Sequence, residues 1–288
     1  MLRSKKFVIV YAVVVFLIVF LIAFNSVCSI SQFEVTFEVQ SMAGQAKSIQ
    51  DRLEDEYRGK SYLFFKEADV TAIVAEESGG YMEVTSFSKR FPNKVSVSVR
   101  EKPETFAFSL GSGEEIRYVV VADDGTVLAV RDSLASNVGG SNVEILGFDF
   151  ALPAVGDVFA VSESQAPAYA SLQTVFSVVQ EKLGSFRDNI VSVEYTAALS
   201  GIEYSPSLFK IQTREGVRIV ILMPETDMDT KIRAAIDVYQ GTGDYTTAGG
   251  GTISDEDRTR GSIVVYASGT VAYTEREVDG VEDLPQNT

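Results

Sequence analysis

The chain contains no histidine and no tryptophan, and it has a single cysteine among 288 residues. Without histidine it lacks the side chain that most often serves as a general base near neutral pH and as a metal ligand. Cys28 alone cannot close an intrachain disulfide. Carboxylates outnumber cations 40 to 25, for a formal net charge of −15. That excess makes nucleic acid an unsuitable partner, because affinity for a phosphate backbone rests on lysine and arginine. What the chain does have is 45% apolar residues, a tenth of the total being aromatic. This is enough to bury a core, and the length suits two modest domains.

One long run is free of charge. Phe7 to Phe24 (FVIVYAVVVFLIVFLIAF) would rise about 27 Å as a helix, close to the thickness of a hydrocarbon core. The expectation is a transmembrane helix over 7–27 behind a short tail, 1–6. Arg3, Lys5 and Lys6 precede the run and no basic residue follows until Lys47, which would leave the N-terminus cytoplasmic and the remainder outside. The run is longer than the apolar part of a cleaved signal peptide, and Val27 is not the small residue a lipoprotein site at Cys28 would need.

Beyond it, Phe33 to Val39 alternates apolar and polar residues as a half-buried strand does. Ala46, Ile49, Leu53 and Tyr57 recur at helical spacing, and Gly59 follows. Ser61-Tyr62-Leu63-Phe64-Phe65 reads as an apolar loop that plugs a core. Glu67 to Glu77 is a second short helix ending at Gly79-Gly80. Tyr81 to Phe91 and Lys94 to Arg100 then form a hairpin about Pro92-Asn93, with Val95, Val97 and Val99 on one face. The predicted order over 33–101 is β-α-α-β-β.

Within this hairpin, KRFPNKVSVSVREKPE (89–104) resembles the end of the POTRA domain in the FtsQ/DivIB family of bacterial cell-division proteins, whose pattern is R-x-x-P followed by alternating apolar residues and V-x-E-x-x-P. Arg90 or Lys89, Pro92, Val99 and Glu101 carry the likeness. The spacing to the proline departs slightly from the pattern, and the apolar loop lacks the family's asparagine. The resemblance implies an α+β chain. Its parts would be one N-terminal transmembrane helix, a POTRA domain at 33–101, and a mixed, antiparallel-rich α+β domain of FtsQ/DivIB type at 102–274.

Periodicity fills in that second domain. Ile116 to Ala122 and Thr126 to Val130 flank the turn Asp123-Asp124-Gly125, where a solvated turn is the simpler reading than a cation site. Asn137 to Asn142 is a surface loop. Pro167 opens a helix whose apolar face runs from Leu172 to Leu183 and stops at Gly184. Ile190 to Thr196 is a strand, and Leu208 to Thr213 with Val217 to Leu222 is a hairpin. Thr226 and Asp229 suggest a capping box for a helix running to Gly241. A polar, glycine-rich stretch, 241–261, is expected to be mobile, and it lacks the lysine of a phosphate loop. Ile263 to Thr274 is the last β segment, and 275–288 an acidic, frayed tail.

Two matches to S-x-x-K, at Ser86 to Lys89 and Ser207 to Lys210, fall in expected strands and lack a K-T-G companion. They read as chance. The resemblance instead implies a non-enzymatic scaffold at the division septum. It would have no cofactor, metal, nucleic acid or small-molecule substrate, and would bind FtsB/DivIC-type and FtsL-type bitopic proteins. Tyr266-Ala267-Ser268-Gly269 resembles the family's Tyr-x-Ser-Gly segment, where FtsB or DivIC docks. By that likeness Tyr266 is an aromatic anchor, Ser268 a polar contact and Gly269 a point of close backbone approach, while Tyr273 lies one position from a family tryptophan. The residue-level alternative is that both tyrosines only pack the sheet and that Ser268-Gly269 forms a bulge or turn. Other functional classes are a membrane-anchored POTRA-like protein of secretion or spore-envelope assembly, and a wall-modifying hydrolase.

Overall fold

The computed structural model describes residues 2–37, 43–111, 116–134, 136–137, 140–199, 205–246 and 250–285. Contacts divide the chain into two compact units, 1–102 and 103–288.

The first unit begins with α1 (Leu2–Val27). Its described side chains from Val10 to Phe24 are exposed and, Tyr11 apart, fully apolar. Among the described residues no helix is long and apolar enough to cross a membrane. The expected transmembrane helix over 7–27 is corrected accordingly, and the orientation drawn from it falls with it.

After α1 come β1 (Gln32–Phe37), α2 (Ala43–Tyr57), α3 (Glu67–Ser78), β2 (Met82–Arg90) and β3 (Lys94–Glu101). The order is β-α-α-β-β, and the sheet runs β1-β3-β2. β1 lies parallel to β3, with Phe33, Val35 and Phe37 opposite Val95, Val97 and Val99. Val95, Val97 and Val99 are buried and join Phe33, Ile49, Leu53, Val70 and Ile73 in one core. Residues 38 and 39 of the expected first strand, and the side chain of Ala46, lie outside the described residues. α3 opens with the Lys66 amide donating to Asp69 Oδ2 at 2.7 Å, which satisfies one of the helix's orphan donors. It closes at Gly79, whose φ of 61° is the left-handed cap. The loop between α2 and α3 splits by side: Tyr62 and Phe65 are buried, whereas Leu63 and Phe64 face outward.

The second unit contains β4 (Glu104–Leu110), β5 (Arg117–Ala122), β6 (Val127–Arg131), the two-residue pair β7 (Ser136–Asn137) and β8 (Gly140–Ser141), and β9 (Val143–Leu146). There follow α4 (Ala166–Leu183), α5 (Phe186–Asn189), β10 (Ile190–Thr196), β11 (Leu208–Thr213), β12 (Arg218–Leu222), α6 (Met228–Tyr239), β13 (Ser262–Val265) and β14 (Val271–Thr274). Nine strands form one mixed sheet in the order β14-β13-β12-β11-β10-β9-β4-β5-β6. β9 is parallel to both β4 and β10, and β12 is parallel to β13; the other neighbours are antiparallel. Each turn to parallel pairing between β9 and β10, and between β12 and β13, has a helix in its connection, α4 in the first and α6 in the second, as parallel neighbours require.

α4 and α6 bury their apolar faces in the same core with Phe106, Phe108, Ile145, Phe209, Ile219 and Ile263. Rings stack through it, Phe108 on Phe159 at 4.1 Å and Phe148 on Tyr195 at 5.3 Å. β12 and β13 are covered on both faces, which is why IVIL and IVV read as continuous apolar runs rather than alternations.

The cap expected at Thr226 does not form. α6 starts after Asp227, at φ 50°, and Thr226 Oγ1 instead accepts from the buried Lys231 Nζ at 3.2 Å. The ammonium also donates to the carbonyls of Leu222 at 3.0 Å and Met223 at 2.8 Å. Burial pushes its pKa down, partly opposed by Asp227 and Glu225. Glu225 in turn accepts from Tyr195 and Ser207 at 2.8 and 2.6 Å, so the turn 223–227 is fixed from both sides.

At the end of β9, Gly147 has φ +81°, and a Cβ there would come within 1.8 Å of the Tyr195 carbonyl oxygen. Gly147→Ala is expected to destabilise the second unit by about 2 kcal/mol or more, since backbone strain and displacement of β10 combine. Urea unfolding should show a lower midpoint at unchanged slope, and an unaltered midpoint would mean that β9 and β10 tolerate separation.

Candidate partner-binding edge

The last β segment is a hairpin rather than one strand. β13 and β14 pair with Val264 opposite Ala272 and Val265 opposite Val271, and 266–270 form the turn. Tyr266 N donates to Thr270 O and Gly269 N to Tyr266 O, both at 2.9 Å. Ser268 Oγ donates to Thr270 Oγ1 at 3.0 Å. Gly269 has φ +85°, and a Cβ there would meet nothing within 4 Å. The glycine is required by the turn's left-handed backbone, not by a neighbour in this chain.

The two tyrosines lie on opposite faces of the sheet. Tyr273 packs on the helix side, against Tyr245 at 5.8 Å. Its hydroxyl donates to Asp257 Oδ1 at 3.2 Å. Burial, and then the Asp257 carboxylate, push its pKa up to about 12. Asp257 is held below the usual carboxylate range by the backbone and hydroxyl of Ser254. Tyr266 packs on the other face with Val220, Leu222, Val264, Ala272, Val278 and Leu284, and its hydroxyl donates to Pro285 O at 2.6 Å.

That second contact is one of several made by the described part of the expected tail, 275–285. Val278 is fully buried, and its amide donates to Ser262 Oγ at 2.9 Å. Arg218 pairs with Asp279 and, at 3.7 Å, with Glu277. The stretch 241–261 is likewise held down. Ile253 is in the core, and Thr246 donates to the Val271 carbonyl through its amide at 2.8 Å and its hydroxyl at 2.9 Å. Residues 247–249 and 286–288 lie outside the described residues. Neither anchor was visible in a polar, glycine-rich composition, since both depend on one apolar residue, Ile253 or Val278, reaching a distant core.

β14 ends the sheet. Antiparallel pairing alternates, so with Tyr266 and Thr270 bonded to each other, the backbone groups of Val271 and Tyr273 point away from β13. Thr246 takes the Val271 carbonyl. The opposite edge, β6, is more fully dressed: Val127 N donates to Asp157 O, Gly156 N to Val127 O, and Thr126 bridges to Val158.

The S-x-x-K matches come apart. Lys89 Nζ donates to Tyr62 O at 2.9 Å, away from Ser86 in the same strand. Lys210 pairs with Glu194 at 2.8 Å, while Ser207 bonds to Glu225. A cleft of about 580 Å³ bears Asp149 and Glu194; the first accepts from Gln165 and the second is paired with Lys210. Among the described residues no group of three acidic or cysteine side chains could hold a metal ion. No protein-family model matches the chain, and no curated protein is significantly similar to it.

Two outcomes follow. Tyr266→Phe should weaken the hold on 275–285 by about 1 kcal/mol and speed trypsin cleavage after Arg276 several-fold in timed digests; an unchanged rate would show that the segment is held without that hydroxyl. Tyr273 and Tyr239 both keep their protons up to about 12, while a tyrosine in the unfolded chain ionises near its ordinary value of 10.0. The unfolded state therefore binds fewer protons in this window, so the contribution of these two tyrosines to stability is constant below about pH 10 and falls as pH rises toward about 12. Tyr273→Phe should flatten part of that fall in denaturant titrations, and an identical pH profile would remove Tyr273 from the account.

Proposed function

We propose that this chain is a non-enzymatic scaffold of the bacterial division septum, of the FtsQ/DivIB type, and that β14 accepts an added strand from an FtsB/DivIC-type partner, with FtsL-type proteins in the same assembly. The observation that carries the proposal is the position of β14: it is the terminal strand of a nine-stranded sheet, with the Val271 carbonyl engaged by Thr246 and the backbone of Tyr273 directed away from β13. Backbone pairing along such an edge supplies affinity, and alternate side chains supply specificity. The β-α-α-β-β order of the first unit, in the place where the sequence resembles a POTRA domain, supports the same reading.

The geometry changes how the binding segment is assigned. Tyr266 faces the tail-covered side of the sheet and is engaged with Pro285, so its contribution is to hold the hairpin and tail in place beside the edge. Ser268 and Gly269 shape the turn that begins β14. Of the four residues, Tyr273 alone belongs to the strand that would meet a partner.

The experiment separates backbone from side chain at that position. A purified FtsB/DivIC-type partner is titrated against the full chain and against Tyr273→Pro and Tyr273→Ala. Proline removes an amide directed away from β13, so it should spare the internal ladder and cost tenfold or more in partner affinity, whereas alanine should cost much less. Equal losses would place recognition in the side chain, and full-strength binding by the proline variant would remove β14 as the docking edge.

A further inference from the structure

One end of the first unit carries a basic, apolar surface that the division reading does not use. Three segments meet there. Tyr62 N donates to Cys28 O at 2.8 Å and Ile30 N to Lys60 O at 3.0 Å, which fastens the loop 58–66 to the chain leaving α1. Ser31 N donates to Asn93 O at 3.0 Å, and Lys89 Nζ to Tyr62 O at 2.9 Å, which brings in the turn 89–94. The segments 28–32, 58–66 and 89–94 contain Arg58, Lys60, Lys66, Lys89, Arg90 and Lys94 and no carboxylate, in a chain of net charge −15. Glu54 and Asp69, on the flanking helices, are engaged with Arg58 and with the Lys66 amide.

Among these cations three large apolar side chains project outward: Leu63 at 55% exposure, Phe64 at 81% and Phe91 at 71%. Their neighbours Tyr62 and Phe65 are buried in the same loop, so the exposed pair is not a loop without a core to join. The segment 28–32 follows directly on α1, with Cys28 N donating to Phe24 O at 2.8 Å, and the described side chains of α1 from Val10 to Phe24 are exposed and apolar. Exposed aromatic residues ringed by lysine and arginine match the boundary of an anionic bilayer, where rings enter the headgroup region and cations meet lipid phosphates.

We propose that this end of the first unit rests on an anionic lipid surface, with Phe64 and Phe91 entering the headgroup region and Lys60 and Lys94 meeting lipid phosphates. The proposal concerns contact with the face of a bilayer, not a span through it, and it stands independently of the division reading. A protein partner, a second copy of this acidic chain included, is the rival occupant; lipid is favoured because the chain entering this end of the unit is α1, whose described side chains from Val10 to Phe24 are exposed and apolar.

The absence of tryptophan gives a direct probe, because Phe64→Trp, Phe91→Trp and Glu76→Trp each place the only indole in the full chain. Each variant, once its circular dichroism matches the parent, is mixed with vesicles of equimolar phosphatidylcholine and phosphatidylglycerol containing acyl-brominated lipid. Emission at 64 and 91 should be quenched about twofold or more and that at 76, on α3, left unquenched. The quenching should disappear in pure phosphatidylcholine and when Lys60→Glu and Lys94→Glu are combined. Equal quenching at all three positions, or equal quenching in neutral and anionic vesicles, would overturn the proposal. Blue-shifted emission at 64 and 91 in the absence of lipid would overturn it as well, by showing that protein already covers the patch.

Discussion

The second unit depends on four residues, Val143–Leu146, pairing in parallel with a strand on each side. β4-β5-β6 is an antiparallel meander, and β10 to β14 form a separate run of strands; β9 joins them into a single sheet. A strand so placed is buried on both sides, and Val143 and Ile145 are almost wholly inaccessible. The join leaves little room at its end, where Gly147 lets the chain pass against Tyr195. Because β9 and β10 are parallel, the chain must travel back between them, and α4 does so across one face. α6 repeats the device between β12 and β13, and the two helices share one core.

Position along that sheet then decides what each end can do. β6 is dressed by the segment 154–159, whereas β14 receives Thr246 at the Val271 carbonyl. The face of β12 to β14 away from the helices is covered by the chain's own acidic end, through Val278, Arg218 and the Tyr266 hydroxyl. A partner strand would thus meet an edge whose two flanking faces are already buried, so recognition would rest on the backbone and on the rim rather than on an open apolar face.

Much of the local structure was legible because it depends on spacing. Pro167 and Gly184 bracket α4, and Val95, Val97 and Val99 face the core of the first unit with serines between them. Asp123-Asp124-Gly125 makes the turn between β5 and β6. The failures have separate physical causes. Thr226 was a good cap by pattern, but the buried Lys231 ammonium claimed its hydroxyl. The 241–261 stretch looked mobile, yet Ile253 reaches the core. The apolar run at 7–27 forms a helix, but its described side chains give no stretch that meets the length and apolarity of a span.

The candidate site divides along the same line. Sequence marked Tyr266, Ser268, Gly269 and Tyr273 as one group, since they are close in the chain. By itself it determined the periodicities, the turns and the charge balance, because these depend on residues a few positions apart. Only the tertiary structure decided that the tyrosines face opposite sides, that β14 closes the sheet, and that loops distant in sequence gather six cations at one end of the first unit. Those outcomes depend on which strand pairs with which, and pairing over long separations is settled by burial of the whole sheet rather than by any segment alone.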